Sequence, residues 1–214
     1  MKKIDVNFKK PPQQQLNDLL EHYQTGRYAD AEKLSLSITQ EFPEHQFAWK
    51  VLGAALKQMG KINESLVASQ KSVQLKPQDS EAHNNLGVTL NELGRLDQAE
   101  ASLRQAITLK PDYAEAHNNL GNTLKELGKL DEAEVSYRQA IKLKPDYAEA
   151  HSNLGNTLQE QGRLKEAEAS LRQAIKLKPD YAQAYYNLGN ILKELGRLKE
   201  AEASLRQAIK LKPD

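Results

Sequence analysis

Residues 114–147 read AEAHNNLGNTLKELGKLDEAEVSYRQAIKLKPDY, and residues 148–181 read AEAHSNLGNTLQEQGRLKEAEASLRQAIKLKPDY. The two strings differ at 7 of 34 positions. The frame continues in both directions. Pro43, Pro77, Pro111, Pro145, Pro179 and Pro213 stand 34 apart, as do Gly26, Gly60, Gly94, Gly128, Gly162 and Gly196. A fixed period of this length marks a stack of small supersecondary units rather than a single globular core. The frame divides the chain into a polar segment 1–11 and six units: 12–45, 46–79, 80–113, 114–147, 148–181 and 182–214. The first unit is divergent and is expected to cap the stack.

Each unit reads as two helices. In 114–147, His117, Leu120, Gly121 and Leu124 share one face, and Gly128 supplies the left-handed residue that commonly ends a helix. Ala133, Tyr137 and Ala140 follow at helical spacing. Asp131 with Glu134 matches a capping box for the second helix, and Asp146 with Glu149 matches one for the next unit. Where Lys165 and Lys199 replace that Asp, weaker helix starts are expected. Gly87, Gly121, Gly155 and Gly189 are expected to face Ala99, Ala133, Ala167 and Ala201, allowing close helix approach.

Composition narrows the function. The chain has 214 residues, 30 Lys plus Arg, 29 Asp plus Glu and no Cys. A net charge of +1 argues against a nucleic-acid binder. The absence of Cys removes disulfides and Cys-based metal sites. No stretch is long and apolar enough for a membrane span or a secretion signal, so a cytoplasmic protein is expected. Near-copies offer the same groups at every repeat, whereas catalysis needs unlike groups converging at one place. No catalytic residue, cofactor or metal is therefore expected.

The pattern large-x-x-Leu-Gly-x-x-Leu, then Ala-x-x-x-Tyr/Leu-x-x-Ala, then Pro, resembles the tetratricopeptide repeat (TPR). In the second unit the large residue is Trp49, followed by Leu52, Gly53 and Leu56. The resemblance implies an all-α, right-handed superhelical solenoid of antiparallel helix pairs. It also implies a concave groove, lined by the first helices, that binds a protein or peptide.

On the first helices the stripe opposite the core runs Glu115, Asn119, Asn122, Glu126, then Glu149, Asn153, Asn156, Glu160, and later Asn187 and Asn190. Asn is a poor helix-interior residue because its side chain competes for backbone hydrogen bonds. Its regular placement calls for another explanation. Asn85, Asn119, Asn153 and Asn187 form a ladder similar to the one in the TPR arms of O-linked N-acetylglucosamine transferases, where amides hold an extended peptide. That resemblance implies an arm that selects substrates for an attached glycosyltransferase, sulfotransferase or methyltransferase. With rungs roughly 10 Å apart and an extended chain advancing about 3.3 Å per residue, a rung would meet about every third residue. The competing explanation is that each Asn bonds the neighbouring helix.

Other features read as packing. Some TPR proteins clamp a terminal carboxylate with Lys, Asn and Arg, and Lys50 is suitably placed. Ala54 stands where Asn is needed, however, and Asn84, Asn118 and Ser152 stand where basic residues are needed. His83, His117 and His151 occupy the large packing position. Tyr113, Tyr147 and Tyr181 should cover the turns between units, and Lys125-Glu126 and Lys165-Glu166 should be solvated. The final unit has no polar capping helix, so a longer parent chain is expected. A self-assembly scaffold, through end-to-end contacts at residues such as Leu205 and Ile209 or through the convex face, is the alternative function.

Overall fold

The computed structural model describes residues 10–212, so the expectation for most of the segment 1–11, and the role of Pro213, lie outside the described residues. Among these residues all regular structure is α-helical. There are twelve helices: α1 (Gln13–Gln24), α2 (Tyr28–Glu41), α3 (Gln46–Gln58), α4 (Ile62–Leu75), α5 (Ser80–Glu92), α6 (Leu96–Leu109), α7 (Ala114–Glu126), α8 (Leu130–Leu143), α9 (Ala148–Glu160), α10 (Leu164–Leu177), α11 (Ala182–Glu194) and α12 (Leu198–Leu211). The fold is an all-α array of helix pairs, as the repeat predicts. The helices fall into two compact units, α1–α6 and α7–α12.

The turns follow from two residues. Gly128 and Gly162 both have φ of +75°, which an L side chain rarely adopts. The next amide then reaches back over the turn, Lys129 N to Leu124 O at 2.9 Å and Arg163 N to Leu158 O at 2.8 Å. These bonds satisfy carbonyls that the helix end would leave orphaned. The second helices stop before proline. Lys144 and Lys178 have φ of −136° and −135°, the extended region favoured by a residue preceding proline.

Two expectations need correction. The glycine faces are filled by large side chains and not by alanine alone. A Cβ on Gly121 would lie 2.5 Å from the Tyr137 ring, and one on Gly155 would lie 2.7 Å from Leu171 Cγ. The alanines contribute a backbone carbonyl nearby, Ala167 O at 3.2 Å from the Gly155 position. The glycine therefore makes room for a buried Leu or Tyr.

The expected capping boxes do not form. The Schellman-type turn delivers the chain into α8 at Leu130, with Lys129 as N-cap and no side-chain cap. Asp131 is already inside the first turn, where its charge suits the helix dipole but its oxygen caps nothing. Lys165 and Lys199 consequently replace a favourable charge, not a cap. Asp146 also misses, because Tyr147 stands between it and α9 and is itself the N-cap residue. Helix α5 differs. In Pro77-Gln78-Asp79-Ser80 the Asp sits at the cap, and its Oδ1 accepts from Ala82 N at 3.0 Å.

In the α7–α12 unit the core is Leu120, Leu124, Tyr137, Leu154, Leu158, Leu171, Leu188, Ile191 and Leu192 with interleaved alanines, all buried. In the α1–α6 unit one cluster joins Leu19, Ile38, Phe42, Ala48 and Val51. There the divergent first pair solves its packing in reverse. Leu19 occupies the glycine position and Ser35 the large position, and both are fully buried.

Candidate interaction surface

The first helices of the α7–α12 unit carry the amide stripe on positions that are largely half-buried: Asn119, Asn122, Asn153, Asn156 and Asn190. Asn187 is an exception, at 8% exposure. In the other unit Asn85 is likewise half-buried on α5.

The amides are tied into the packing. Asn153 Nδ2 donates to Asn118 Oδ1 at 3.1 Å and to Asn122 Oδ1 at 3.0 Å, linking α9 to α7. The Tyr137 hydroxyl also donates to Asn122 Oδ1, at 2.8 Å. Burial pushes the Tyr137 hydroxyl far above its ordinary pKa, so it stays a donor. The Asn187 rung is built differently, because Ser152 replaces Asn118 in the facing position. Gln183 Nε2 donates to Asn187 Oδ1 at 2.9 Å, and Asn187 Nδ2 has no partner. Neither Asn118 nor Tyr137 was singled out from sequence as a partner of the ladder. The signal available was that Asn118 and Tyr137 are two of the seven differences between the near-copies.

Three acidic members of the stripe are neutralised by lysines distant in sequence, two within their own repeat and one in the adjacent repeat. Glu115 pairs with Lys144 at 3.5 Å, Glu149 with Lys178 at 3.2 Å, and Glu160 with Lys125 at 2.9 Å. Glu194 accepts from Gln159, and these two line an open cleft of about 430 Å³ with Asn190 and Lys193. Glu126 is exposed. The second helices carry a matching series. Glu134 accepts from Arg163 at 2.6 Å and from Arg138 at 2.8 Å. Burial would raise the Glu134 carboxyl, but hydrogen bonds from Arg163 and Arg138 outweigh it and hold the group below its ordinary value. Runs such as Lys125-Glu126 and Lys165-Glu166 are thus partly organised rather than simply solvated.

Lys50, the candidate clamp residue, is already occupied. Its Nζ lies 3.2 Å from Asp79 Oδ2 and 2.6 Å from Glu81 Oε2, and Gln46 Nε2 also donates to Asp79, at 3.0 Å. Two carboxylates on one ammonium leave it ill suited to a third. The histidines are packing residues. The ring nitrogens of His83, His117 and His151 donate to the carbonyls of Pro77, Pro111 and Pro145 at 3.0, 3.0 and 3.1 Å. Trp49 makes the same bond to Pro43 O at 2.8 Å. Tyr147 and Tyr181 stand at the junctions as expected, each under a lysine ammonium 4.9 Å from the ring centroid.

Residues 21–213 match the family model of the cilia and flagella-associated protein 70 C-terminal domain, a TPR model. The chain belongs to this TPR family. Solved TPR structures share the fold. MamA aligns with a TM-score of 0.66 at 25% identity, over 75% of this chain and 94% of that one. PilW, a type IV pilus biogenesis factor, gives 0.83 at 20%, over 92% and 91%. YrrB, described as a TPR protein with an unusual peptide-binding site, gives 0.63 at 20%, over 84% and 93%. No curated protein matches the chain significantly. TPR arrays are generally non-catalytic, and this one is a protein–protein interaction scaffold. Among the described residues no helix is long and apolar enough to cross a membrane.

Proposed function

We propose that the α7, α9 and α11 stripe holds an extended peptide or protein segment, with amides as the principal contacts. The observation carrying this reading is the difference between the two polar groups of the stripe. Glu115, Glu149 and Glu160 are paired with Lys144, Lys178 and Lys125, whereas the amides of Asn156 and Asn190 are half-buried beside them. An amide can donate and accept at once, which suits a peptide backbone. The peptide-binding site named for YrrB supports the same reading. In a longer chain such an arm would select substrates for an attached enzyme.

The test is selection of binders from a displayed library of random 12-residue peptides, followed by Asn156→Ala and Asn190→Ala. Capture should fall at least tenfold while thermal unfolding is unchanged. Asn153→Ala should lower both, because its donors bridge α7 and α9. Equal capture by all variants would sink the stripe as the binding surface.

A further inference from the structure

The α7/α9 and α9/α11 junctions are near-copies, yet their amides are wired differently. At α7/α9, Asn153 Nδ2 gives both its bonds, to Asn118 and Asn122, and the Tyr137 hydroxyl gives Asn122 a second donor. At α9/α11, Asn187 and Asn156 keep the places of Asn153 and Asn122, but Ser152 stands for Asn118 and Leu171 for Tyr137. The Ser152 hydroxyl is short and is engaged by the Tyr181 phenol, and Leu171 offers no polar atom. Asn187 Oδ1 accepts from Gln183 on its own helix. Asn187 Nδ2 is left buried without an acceptor, which costs the desolvation of that group with no bond in return. Pairing between helices therefore accounts for Asn153 in full and for Asn187 only in part.

Granted the peptide-binding reading of the stripe, on which this rests, we infer that α9/α11 is the junction at which a bound chain enters the ladder. Asn187 Nδ2 donates to one backbone carbonyl of that chain, and the Asn156 carboxamide accepts an adjacent backbone N–H. One amide can serve in either sense, so two of them match the alternating groups of a peptide backbone. The α7/α9 junction has no donor to spare at Asn153 and holds the two helices together instead.

The way in lies along α11. Asn190 follows Asn187 by three residues and so sits one turn further along the same face. It lines the open cleft with Gln159, Lys193 and Glu194. Gln183 is exposed, so a chain entering from the cleft reaches Asn187 by displacing the single bond from Gln183. Asn156 is half-buried on α9, in the place that Asn122 holds beside Asn153.

Copying the α7/α9 junction onto α9/α11 tests this. Ser152→Asn with Leu171→Tyr rebuilds the full set of partners, and the near-copy shows that both side chains fit. Binders are first selected by the wild-type chain from a displayed random peptide library. Their capture by the double variant should fall about tenfold, the equivalent of one lost hydrogen bond, with thermal unfolding no lower than wild type. Asn118→Ser in the other junction should leave capture unchanged. On adding a captured peptide to the wild-type chain, the side-chain amide NMR signals of Asn187 should shift and those of Asn153 should not. Libraries with and without Asn and Gln should yield binders alike, because the acceptor is a backbone carbonyl. Full capture by the double variant, or shifts at Asn153 and not at Asn187, would overturn the assignment while leaving the stripe as a binding surface. Binders that require Asn or Gln would move the acceptor to a side chain and overturn it as well. A wild-type chain that captures no peptide defeats the peptide-binding reading itself, and the assignment with it.

Discussion

The first helix pair and the α7–α12 unit fill the same slot with opposite solutions. Between the helices of a pair, one position on the first helix faces one on the second. In the α7–α12 unit these are Gly121 with Tyr137 and Gly155 with Leu171, a void on one helix filled from the other. In the α1–α6 unit the first pair has Leu19 with Ser35, the second has Gly53 with Ser69, and the third, Gly87 with Leu103, already follows the later pairs. In the second pair both residues are small, and the backbones close in. A Cβ on Gly53 would lie 3.2 Å from the Ser69 amide nitrogen. The motif thus conserves the summed volume of the slot loosely and lets the backbone take up the remainder.

That comparison breaks most readily at Tyr137, the largest fully buried side chain. Tyr137→Ala should cost about 3–5 kcal/mol in urea unfolding, through lost burial and the cavity left beside Gly121. It also removes one of the two donors to Asn122 Oδ1, leaving Asn153. Ser69→Ala should change stability by less than about 1 kcal/mol, because the backbones there already touch. A sharper test transplants the first pair's solution. Gly121→Leu alone should overpack against the Tyr137 ring, and adding Tyr137→Ser should recover part of the loss. Additive losses in the double variant would show that the slot is not a volume exchange.

The junctions differ as well. In the α1–α6 unit Asp79 caps α5 and pairs with Lys50. In the α7–α12 unit the aligned positions are Tyr147 and Tyr181, packed under lysines. Asp79→Ala should cost about 1–2 kcal/mol as a lost cap, with Lys50 left to Glu81 alone. Burial would raise the Asp79 carboxyl, but the Ala82 amide, Lys50 and Gln46 together hold it below its ordinary value. Its contribution is therefore fully present above the unfolded value of about 3.9, and it is lost as pH falls through the lower folded value. Acid unfolding of the wild type should show this loss, and Asp79→Asn should lack it.

The repeat frame, the Gly turns, the proline stops and the packing role of His117 were legible because each is a one-residue rule repeated at constant spacing. The caps were not. Asp131 and Asp146 satisfy the capping pattern, but whether an Asp oxygen reaches a free amide depends on where the turn releases the chain. That is a matter of one residue, as Asp79 shows. The amide stripe was legible as a row of residues. Its wiring was not, because Asn153 bonds Asn118 and Asn122 across 35 and 31 residues. The occupation of Lys50 was hidden for the same reason, since its partners Asp79 and Glu81 lie 29 and 31 residues away, at the end of its own repeat and the start of the next.

The smallest effect should appear at the opposite end of the pH scale from Asp79. Tyr147 is pushed up to about 12, first by burial and then by the Glu115 and Glu149 carboxylates and Tyr181. The folded state therefore favours the neutral phenol. The resulting stability is fully present below the unfolded value of about 10, and it is lost as pH rises towards the folded value. Absorbance titration at about 295 nm, comparing wild type with Tyr147→Phe, should place this residue's ionisation well above that of a free tyrosine. Glu115→Gln and Glu149→Gln should each lower it slightly, because burial is the larger cause. Ionisation near the ordinary value would mean that the Tyr147 ring lies open to water, and the aromatic junction would then no longer stand as the counterpart of the Asp79–Lys50 junction.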